Sequence, residues 1–319
     1  CRTAVDTEMT ETLDLFTPTL LQALNACAVL LTVLVLSGLG AVATGRWRFN
    51  EADLMTGIGV AITAMTLIGA LSFLPLSWIG YVILVVGGPG SGKAIILLLP
   101  LLLLLAGMQA SQWDEFSHWL HSSFYLFEHD SFPRDGLPAS RASYPAYPYG
   151  LADLTLLVSL ISRQFGENTT ILLNTFLLGA FGLVLLRIAE LADRPTRPES
   201  RGWGVAAIAL IAGMLTFPVQ KILFSSYADA AMALLLGTAA ACGWRAIEAL
   251  ERGATTRAVA PAIQYGWIMA AVVALKQANF VLFVILTIAV IATGVITPNL
   301  RIRSLRPLPD WSCRIHDHG

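Results

Sequence analysis

The stretch that decides the fold runs from Trp113 to Gly150 and is the longest polar interruption in an otherwise lipid-like sequence. It begins with Trp113-Asp114-Glu115-Phe116-Ser117-His118-Trp119 and ends with Tyr144-Pro145-Ala146-Tyr147-Pro148-Tyr149-Gly150. An apolar run precedes it, so its two adjacent carboxylates lie at the mouth of a predicted membrane span. Ionisable groups near the hydrocarbon region are costly unless they face a wet cavity or a partner, and they therefore predict a functional site.

The composition around this stretch is that of a polytopic membrane protein. Of 319 residues, 56% are hydrophobic and 13% are charged, and the mean hydropathy is +0.69, whereas soluble domains carry about 25% charged residues. The net charge of −1 gives no global basic field, so we expect no nucleic-acid partner. The cysteines Cys1, Cys27, Cys242 and Cys313 lack metal-ligand spacing, so they predict no metal site. The chain begins with Cys1 and ends without pattern, which leaves open whether it is a piece of a longer protein.

The apolar runs predict an all-α transmembrane bundle of about nine spans with an external loop that carries short juxtamembrane helices. The spans are expected at 18–43, 54–74, 76–87, 94–110, 168–190, 203–219, 226–246, 261–276 and 279–297. Residues 151–162 are apolar but too few for a full crossing, which favours a re-entrant or interfacial helix. The predicted regions are N-terminal helices at 1–110, the external loop at 111–167, a second helical module at 168–300 and a cytoplasmic tail at 301–319.

The distribution of Lys and Arg orients this bundle. Positive charges gather on the cytoplasmic side of membrane proteins. One set of alternate loops holds most of them: Arg46, Arg48, Lys93, Arg187, Arg194, Arg197, Arg201, Arg245, Arg252, Arg257, Arg301, Arg303 and Arg306. The 113–150 loop belongs to the opposite set and is therefore predicted to be external, provided that residues 151–162 do not cross.

Four polar features fall on this same predicted outer side. They are Asp114-Glu115, the segment from Tyr144 to Gly150 that contains Tyr147, Asp229 at the start of a span, and Lys276-Gln277 between the last two spans. If residues 114–127 form a helix, Asp114, His118 and His121 lie on one stripe, where imidazoles could tune the carboxylate or hold a cation. The alternative is an amphipathic helix anchored by Trp113, Phe116, Trp119 and Phe124 with merely solvated acids.

The other features also leave two interpretations each. Lys276 could snorkel to the membrane surface, or could offer its ammonium to a lipid-borne phosphate. Asp229 could cap a helix, or could be a second acid in the same cavity. The prolines keep the Tyr144–Gly150 segment extended, so it could line a binding cleft or stiffen the loop.

With these residues in place, the chain resembles the GT-C superfamily of integral-membrane glycosyltransferases, which includes protein O-mannosyltransferases and lipid A aminoarabinose transferases. The resemblance spans about residues 94–298 and rests on the order of five features: Asp114-Glu115, the Tyr144–Gly150 segment, Phe165-Gly166-Glu167, Tyr227-Ala228-Asp229 and Lys276. It departs from the family in that four predicted spans, in place of one, precede the Asp-Glu loop.

The resemblance implies transfer of a sugar from a polyprenyl-phosphate carrier to an acceptor hydroxyl on the external face of the membrane. Asp114 would be the general base with Glu115 assisting, Lys276 would bind the donor phosphate, and Asp229 would support the site. His118, Tyr144, Tyr147 and Gln277 are then expected to bind substrate. The implied partners are the lipid-linked sugar, membrane lipids and an undetermined acceptor. The implied location is the inner membrane of a bacterium. Whether a divalent cation serves as cofactor is left open.

Another class of function is a transporter or flippase of a lipid-linked or anionic substrate that uses the same acids as a proton relay. It predicts ionisable residues deep inside spans and repeated, broken helices. The charged residues here lie at the ends of predicted spans and no repeat is visible, so the sequence favours the transferase.

Overall fold

The structure is a computed structural model that describes residues 18–46, 50–72, 74–88, 102–103, 105–192 and 225–296. Within these ranges the chain is helical and contains no strand. Its helices, in chain order, are α1 (Leu20–Ala43), α2 (Asp53–Ser72), α3 (Leu76–Gly87), a π-helical turn (Glu115–Trp119), α4 (Leu120–His129), α5 (Gly150–Ser162), α6 (Thr169–Ala192), α7 (Ala228–Glu251), α8 (Thr255–Leu275) and α9 (Asn279–Ile296).

Six of these helices, α1, α2 and α6 to α9, are long and apolar enough to cross a membrane. The part of the chain that the structure describes is therefore all-helical, and its apolar helices indicate an integral membrane protein, as the composition predicted. Of the other three expected spans, 76–87 is the 12-residue α3, and 94–110 and 203–219 lie largely or wholly outside the described residues. The count of about nine spans stays a prediction.

The helices α1, α6 and α7 begin at one end of the bundle, which we call the loop end because the 113–150 segment lies there. The buried Asn25 of α1 donates from Nδ2 to Oδ1 of Asn168, which directly precedes α6, at 2.6 Å. Asn174 of α6 donates from Nδ2 to the carbonyl oxygen of Ser225, just before α7, at 3.1 Å. Interhelical amide bonds of this kind hold helices together where no water competes.

The opposite end is fastened by a buried carboxylate. Asp53, in the first turn of α2, is fully buried and pairs with the guanidinium of Arg46 beyond the end of α1. It also accepts the backbone N–H of Asn50 at 2.6 Å and the side-chain amide of Gln264 in α8 at 3.1 Å. A buried ion pair is tolerated only when further hydrogen bonds satisfy it. Here they tie α1, α2 and α8 together.

The short helix α5 begins and ends at the loop end. Gly150, its first residue, packs against the carbonyl group of Ala274 near the end of α8. Beyond its last turn, Gln164 donates from Nε2 to the carbonyl oxygen of Leu21 in the first turn of α1 at 2.7 Å. This arrangement agrees with the prediction of a re-entrant or interfacial helix at 151–162, and it keeps both flanking loops on one side.

Helices α1 and α2 approach each other closely enough to require glycine at two positions. A Cβ atom at Gly57 would overlap the carbonyl oxygen of Leu36, and one at Gly40 would overlap that of Asp53. Small residues permit this backbone contact, which drives association of membrane helices by close packing.

Replacing Gly57 tests this contact. Gly57→Ala should push α1 away from α2 and destabilise the fold by about 1–3 kcal/mol, the usual cost of overpacking. Thermal unfolding of the purified protein in detergent measures it. Gly266→Ala is the matched control, because a Cβ there meets no atom within 4 Å. Equal unfolding midpoints for the two variants would contradict the proposed close contact.

Candidate functional site

The segment expected to form a helix from 114 to 127 does so, with one irregular turn. The N–H of Leu120 donates to the carbonyl oxygen of Glu115, five residues earlier, so the Glu115–Trp119 turn is π-helical. Such a turn is wider than an α-helical one and changes the direction of the side chains that follow it. The expected stripe of Asp114, His118 and His121 is only partly formed. His118 is buried against two tyrosines and is close enough to Asp114 for the carboxylate to affect the pKa of the imidazole, whereas His121 lines a cleft on another side of the segment.

Glu115 joins the beginning of the loop to the beginning of α7. Its side chain is 1% exposed. Oε2 accepts the backbone N–H groups of Ser111 and Gln112 at 2.7 and 2.8 Å, and Oε1 accepts that of Ser226 at 2.5 Å. Three charge-assisted hydrogen bonds to backbone donors fix both segments. The geometry thus gives Glu115 a structural part: it places its neighbour Asp114 beside the start of α7.

Asp114 itself is exposed and lies next to Tyr227, the residue that precedes α7. Burial is the main cause that raises the pKa of the Tyr227 phenol, and the nearby carboxylate of Asp114 raises it further. Because Asp114 faces solvent and is held by its buried neighbour, a hydroxyl group of a ligand could approach it. That accessibility is what a general base needs.

The lysine predicted to bind a phosphate also lies at the start of α7. Nζ of Lys276 is 3.1 Å from Oδ1 of Asp229, and both side chains are partly exposed. Next to it, Gln277 donates from Nε2 to the carbonyl oxygen of Ala146 at 2.9 Å. The α8–α9 turn therefore touches both the first turn of α7 and the Tyr-Pro segment.

His118 lies in an aromatic enclosure. Its ring contacts those of Trp119, Tyr144 and Tyr147 edge-on, at centroid separations of 4.8, 5.8 and 5.0 Å. Burial lowers the pKa of its imidazole below the ordinary 6.5, which Asp114 partly offsets. Neither ring nitrogen has a hydrogen-bond partner among the described residues, although the side chain is only 5% exposed. Buried polar atoms rarely lack partners, so these nitrogens are candidates to bond a ligand.

These contacts gather every residue predicted for the site at the loop end. We call the set the loop-end site: Asp114, Glu115, His118, Tyr144, Tyr147, Asp229, Lys276 and Gln277. The juxtaposition is a property of the structure, whereas the chemical role of each residue stays a prediction. Among the described residues, no three His, Cys, Asp or Glu side chains cluster as ligands of a metal ion.

Two residues that matter here were not predicted as part of the site. Tyr227 belongs to the motif Tyr227-Ala228-Asp229, and no role of its own was predicted for it. Its position two residues before Asp229 could have indicated that it lies at the site. Asp153 is fully buried in the first turn of α5, where its Oδ2 accepts from the hydroxyl of Thr66 at 3.2 Å. The signal for Asp153 was a single acid in an otherwise apolar run.

The role of Glu115 as a fastener can be tested. Glu115→Gln should lower the unfolding midpoint, because an amide can accept fewer of the three backbone N–H groups and each unpaired buried donor costs about 1–3 kcal/mol. Asp114→Asn, at the exposed neighbouring position, should leave the midpoint unchanged. Thermal unfolding with both variants in the same detergent makes the comparison, and a stable Glu115→Gln variant would refute the fastening role.

The depressed pKa of His118 predicts a loss of stability in acid. Below pH 6.5 the unfolded chain binds a proton at His118 that the folded protein does not, so the free energy of unfolding falls as the pH falls through this range until the folded imidazole is also protonated. His118→Asn should flatten this slope between pH 7.5 and 5, whereas the control His121→Asn should keep it. A slope that is unchanged in His118→Asn would contradict the buried, neutral state of the ring.

Comparison with known proteins does not identify a family for this chain. No protein-family model, no curated protein and no solved structure matches the chain. The resemblance to the GT-C superfamily consequently rests on the order of the residues in the sequence, and it stays a prediction.

Proposed function

We propose that this protein is a membrane glycosyltransferase that moves a sugar from a polyprenyl-phosphate carrier to an acceptor hydroxyl. The observation that carries the proposal is the meeting of opposite charges around the start of α7. Asp114 lies beside Tyr227, and two residues further on Asp229 pairs with Lys276 at 3.1 Å. A carboxylate and an ammonium at one end of an apolar bundle are the two charges that this reaction requires.

The donor side of the site would be formed by Lys276. An ammonium has three N–H donors, of which the bond to Asp229 occupies one, so the others can bind phosphate oxygens. In the neighbouring α9 only Asn279 is buried and the other residues are partly or fully exposed, as expected of a helix with one lipid-facing side. A carrier chain in the bilayer could pass along such a helix with its phosphate at the level of Lys276.

The reaction would proceed by substitution at the anomeric carbon. The acceptor oxygen forms a bond to this carbon while the bond from the carbon to the phosphate oxygen breaks, and the proton of the hydroxyl passes to Asp114. The leaving group is polyprenyl phosphate, whose additional negative charge would be stabilised by Lys276. Asp229 would orient the ammonium, and Glu115 would hold Asp114 in place.

The aromatic enclosure supports binding of a polar ligand. The unpartnered nitrogens of His118 can form hydrogen bonds with hydroxyl groups, and the rings of Tyr144 and Tyr147 offer apolar surface beside them. Sugars present both hydroxyl groups and apolar C–H faces. We assign this enclosure to the transferred sugar or the reacting end of the acceptor.

The proposal places the loop end on the external side of a bacterial inner membrane. Arg46, Arg245 and Arg252 lie at the opposite end of the described bundle, near Asp53 and the end of α7. These residues belong to the set of alternate loops that is richer in Lys and Arg over the whole sequence, which supports a cytoplasmic location for that end. Lipid-linked sugars would then be used outside the cell, where an envelope polymer, lipid or protein could supply the acceptor.

One observation favours the alternative of a proton-coupled transporter. Asp153 is fully buried, and its Oδ1 has no hydrogen-bond partner among the described residues. A carboxyl group in such a place can take up and release a proton during a transport cycle. The loop-end site remains better explained by the transferase, because Lys276, His118 and the tyrosines have no part in a relay through Asp153.

Substitution of the proposed base tests the transferase. Asp114→Asn should reduce transfer from radiolabelled polyprenyl-phosphate sugars in membrane vesicles by at least about 100-fold, the usual effect of losing a general base. Lys276→Gln should chiefly raise the KM for the donor. Asp135→Asn, an exposed acid of the same loop, is the matched control and should behave as wild type.

Undiminished transfer by Asp114→Asn would remove the assignment of the base. Wild-type vesicles that take up substrate without forming any labelled glycoside, and lose uptake with Asp153→Asn, would establish the transporter instead. Comparable amounts of folded protein in each preparation are verified by size-exclusion chromatography.

A further inference from the structure

A second concave site lies beside the loop-end site and does not share its residues. It is a cleft of about 510 Å³ between α4, the 138–141 segment and the turn that joins α5 to α6. We call it the aromatic cleft. Phe116, two residues after Asp114, forms part of its wall. The volume is within the range of about 300–1,000 Å³ that is typical of small-molecule sites.

We propose that the aromatic cleft binds a saccharide and that this saccharide is the part of the acceptor beyond the reacting hydroxyl. The assignment to the acceptor rests on the proposed transferase function, whereas the binding of a saccharide rests on the cleft itself. The chemistry of its walls and rim identifies the class of ligand.

The walls are aromatic and partly exposed. Phe116 and Phe124 are 49% and 45% exposed, so each presents a large apolar surface without a protein partner over it. The ring of Phe124 meets that of Phe165 at a centroid separation of 5.4 Å and an angle of 89°. In this pair the edge of one ring meets the face of the other, and the exposed part of Phe124 is left open to a ligand. The electron-rich face of an aromatic ring attracts the slightly positive C–H face of a pyranose.

The rim supplies hydrogen-bonding groups of both kinds. Glu128 and Glu167 are acceptors, Arg141 is a donor, and His121 can act as either. Within the described part of the chain, Arg141 and Glu167 take part in no hydrogen bond or ion pair that would occupy them. Adjacent hydroxyl groups of a sugar need acceptors and donors that are close together, and carboxylates and guanidinium groups can bind such pairs in a bidentate manner.

The same rim argues against a lipid. An acyl chain in the cleft would desolvate Glu128 and Glu167 without giving them hydrogen bonds, which is unfavourable. An anionic head group would meet two carboxylates and one guanidinium, and of the two histidines in the lining His129 already lies 3.8 Å from the carboxylate of Glu128. The balance of charge instead favours a neutral saccharide or one that carries an amino group.

The cleft lies where the part of an acceptor beyond its reacting hydroxyl could bind. The π-helical turn directs His118 toward Tyr144 and Tyr147 and directs Phe116 and His121 into the cleft. The two sites therefore share one helical segment as a wall. Because an α-helix with its side chains is only about 10 Å across, the sites are separated by about that distance. An oligosaccharide that extends past this segment could place one end in each site.

Saturation-transfer NMR on the full chain in lipid nanodiscs tests the proposal. The probes are maltotriose, chitotriose and mannotriose, with lysophosphatidylcholine as the lipid comparison. We expect saturation of ring C–H protons in at least one trisaccharide. Phe124→Ala should weaken its binding about tenfold, as expected for loss of an aromatic contact. Phe280→Ala, at a phenylalanine of α9 that is 57% exposed and lies outside the cleft, is the matched control and should bind as wild type.

Three results would overturn saccharide binding. They are the absence of saturation transfer from the protein to any trisaccharide, trisaccharide binding by Phe124→Ala that equals the binding by wild type, and saturation of the acyl protons of the lipid alone. The acceptor assignment is tested separately. Asp114→Asn should keep trisaccharide binding and lose transfer, whereas Glu167→Gln should raise the acceptor KM and leave the donor KM unchanged. Retained transfer in Asp114→Asn refutes the assignment of the base only. The absence of any labelled glycoside from wild-type membranes refutes the proposed function and leaves saccharide binding standing, and an unaltered acceptor KM in Glu167→Gln refutes the acceptor assignment only.

Discussion

The carboxylate of Glu115 is the constraint on which the loop end depends. It is buried and bound by the backbone N–H groups of Ser111, Gln112 and Ser226, two chain segments more than a hundred residues apart. A buried charge is costly in free energy unless it is fully hydrogen-bonded, so the loss of any of these bonds would destabilise the fold. Both segments are therefore held in these positions. These bonds hold Asp114 beside Tyr227, and the ion pair of Asp229 with Lys276 lies two residues beyond Tyr227, in the first turn of α7.

A similar constraint acts at the far end of the bundle. Asp53 gathers Arg46, Asn50 and Gln264, while interhelical amides fasten α1, α6 and α7 at the loop end. Between these polar ends, the helices pack through glycines and aliphatic side chains that have no directional preference. The polar groups thus determine the register of the helices, and the apolar core fills the space that this register leaves.

Much of this arrangement could be predicted from the sequence, because apolar runs and their polar interruptions report the spans directly. The short α5 and the location of Lys276 and Asp229 on one side of the bundle were both expected, whereas their direct ion pair was not. The π-helical turn was not, since Glu115–Trp119 has no residue pattern that distinguishes it from an α-helix. The burial of Glu115 depends on Ser226, a contact across distant sequence that no local pattern encodes. Asp153 was missed because one acid hardly alters the apolarity of its segment.

The π-helical turn has one more consequence. A wide turn arises when a helix accommodates one additional residue, and such turns recur at functional sites. Here it divides a single amphipathic segment into two surfaces, one bearing His118 and the other Phe116 and His121. Deleting one residue from this turn would restore ordinary helical spacing and merge the two surfaces. Their separation permits evolution to alter the specificity of one while leaving the chemistry beside the other intact.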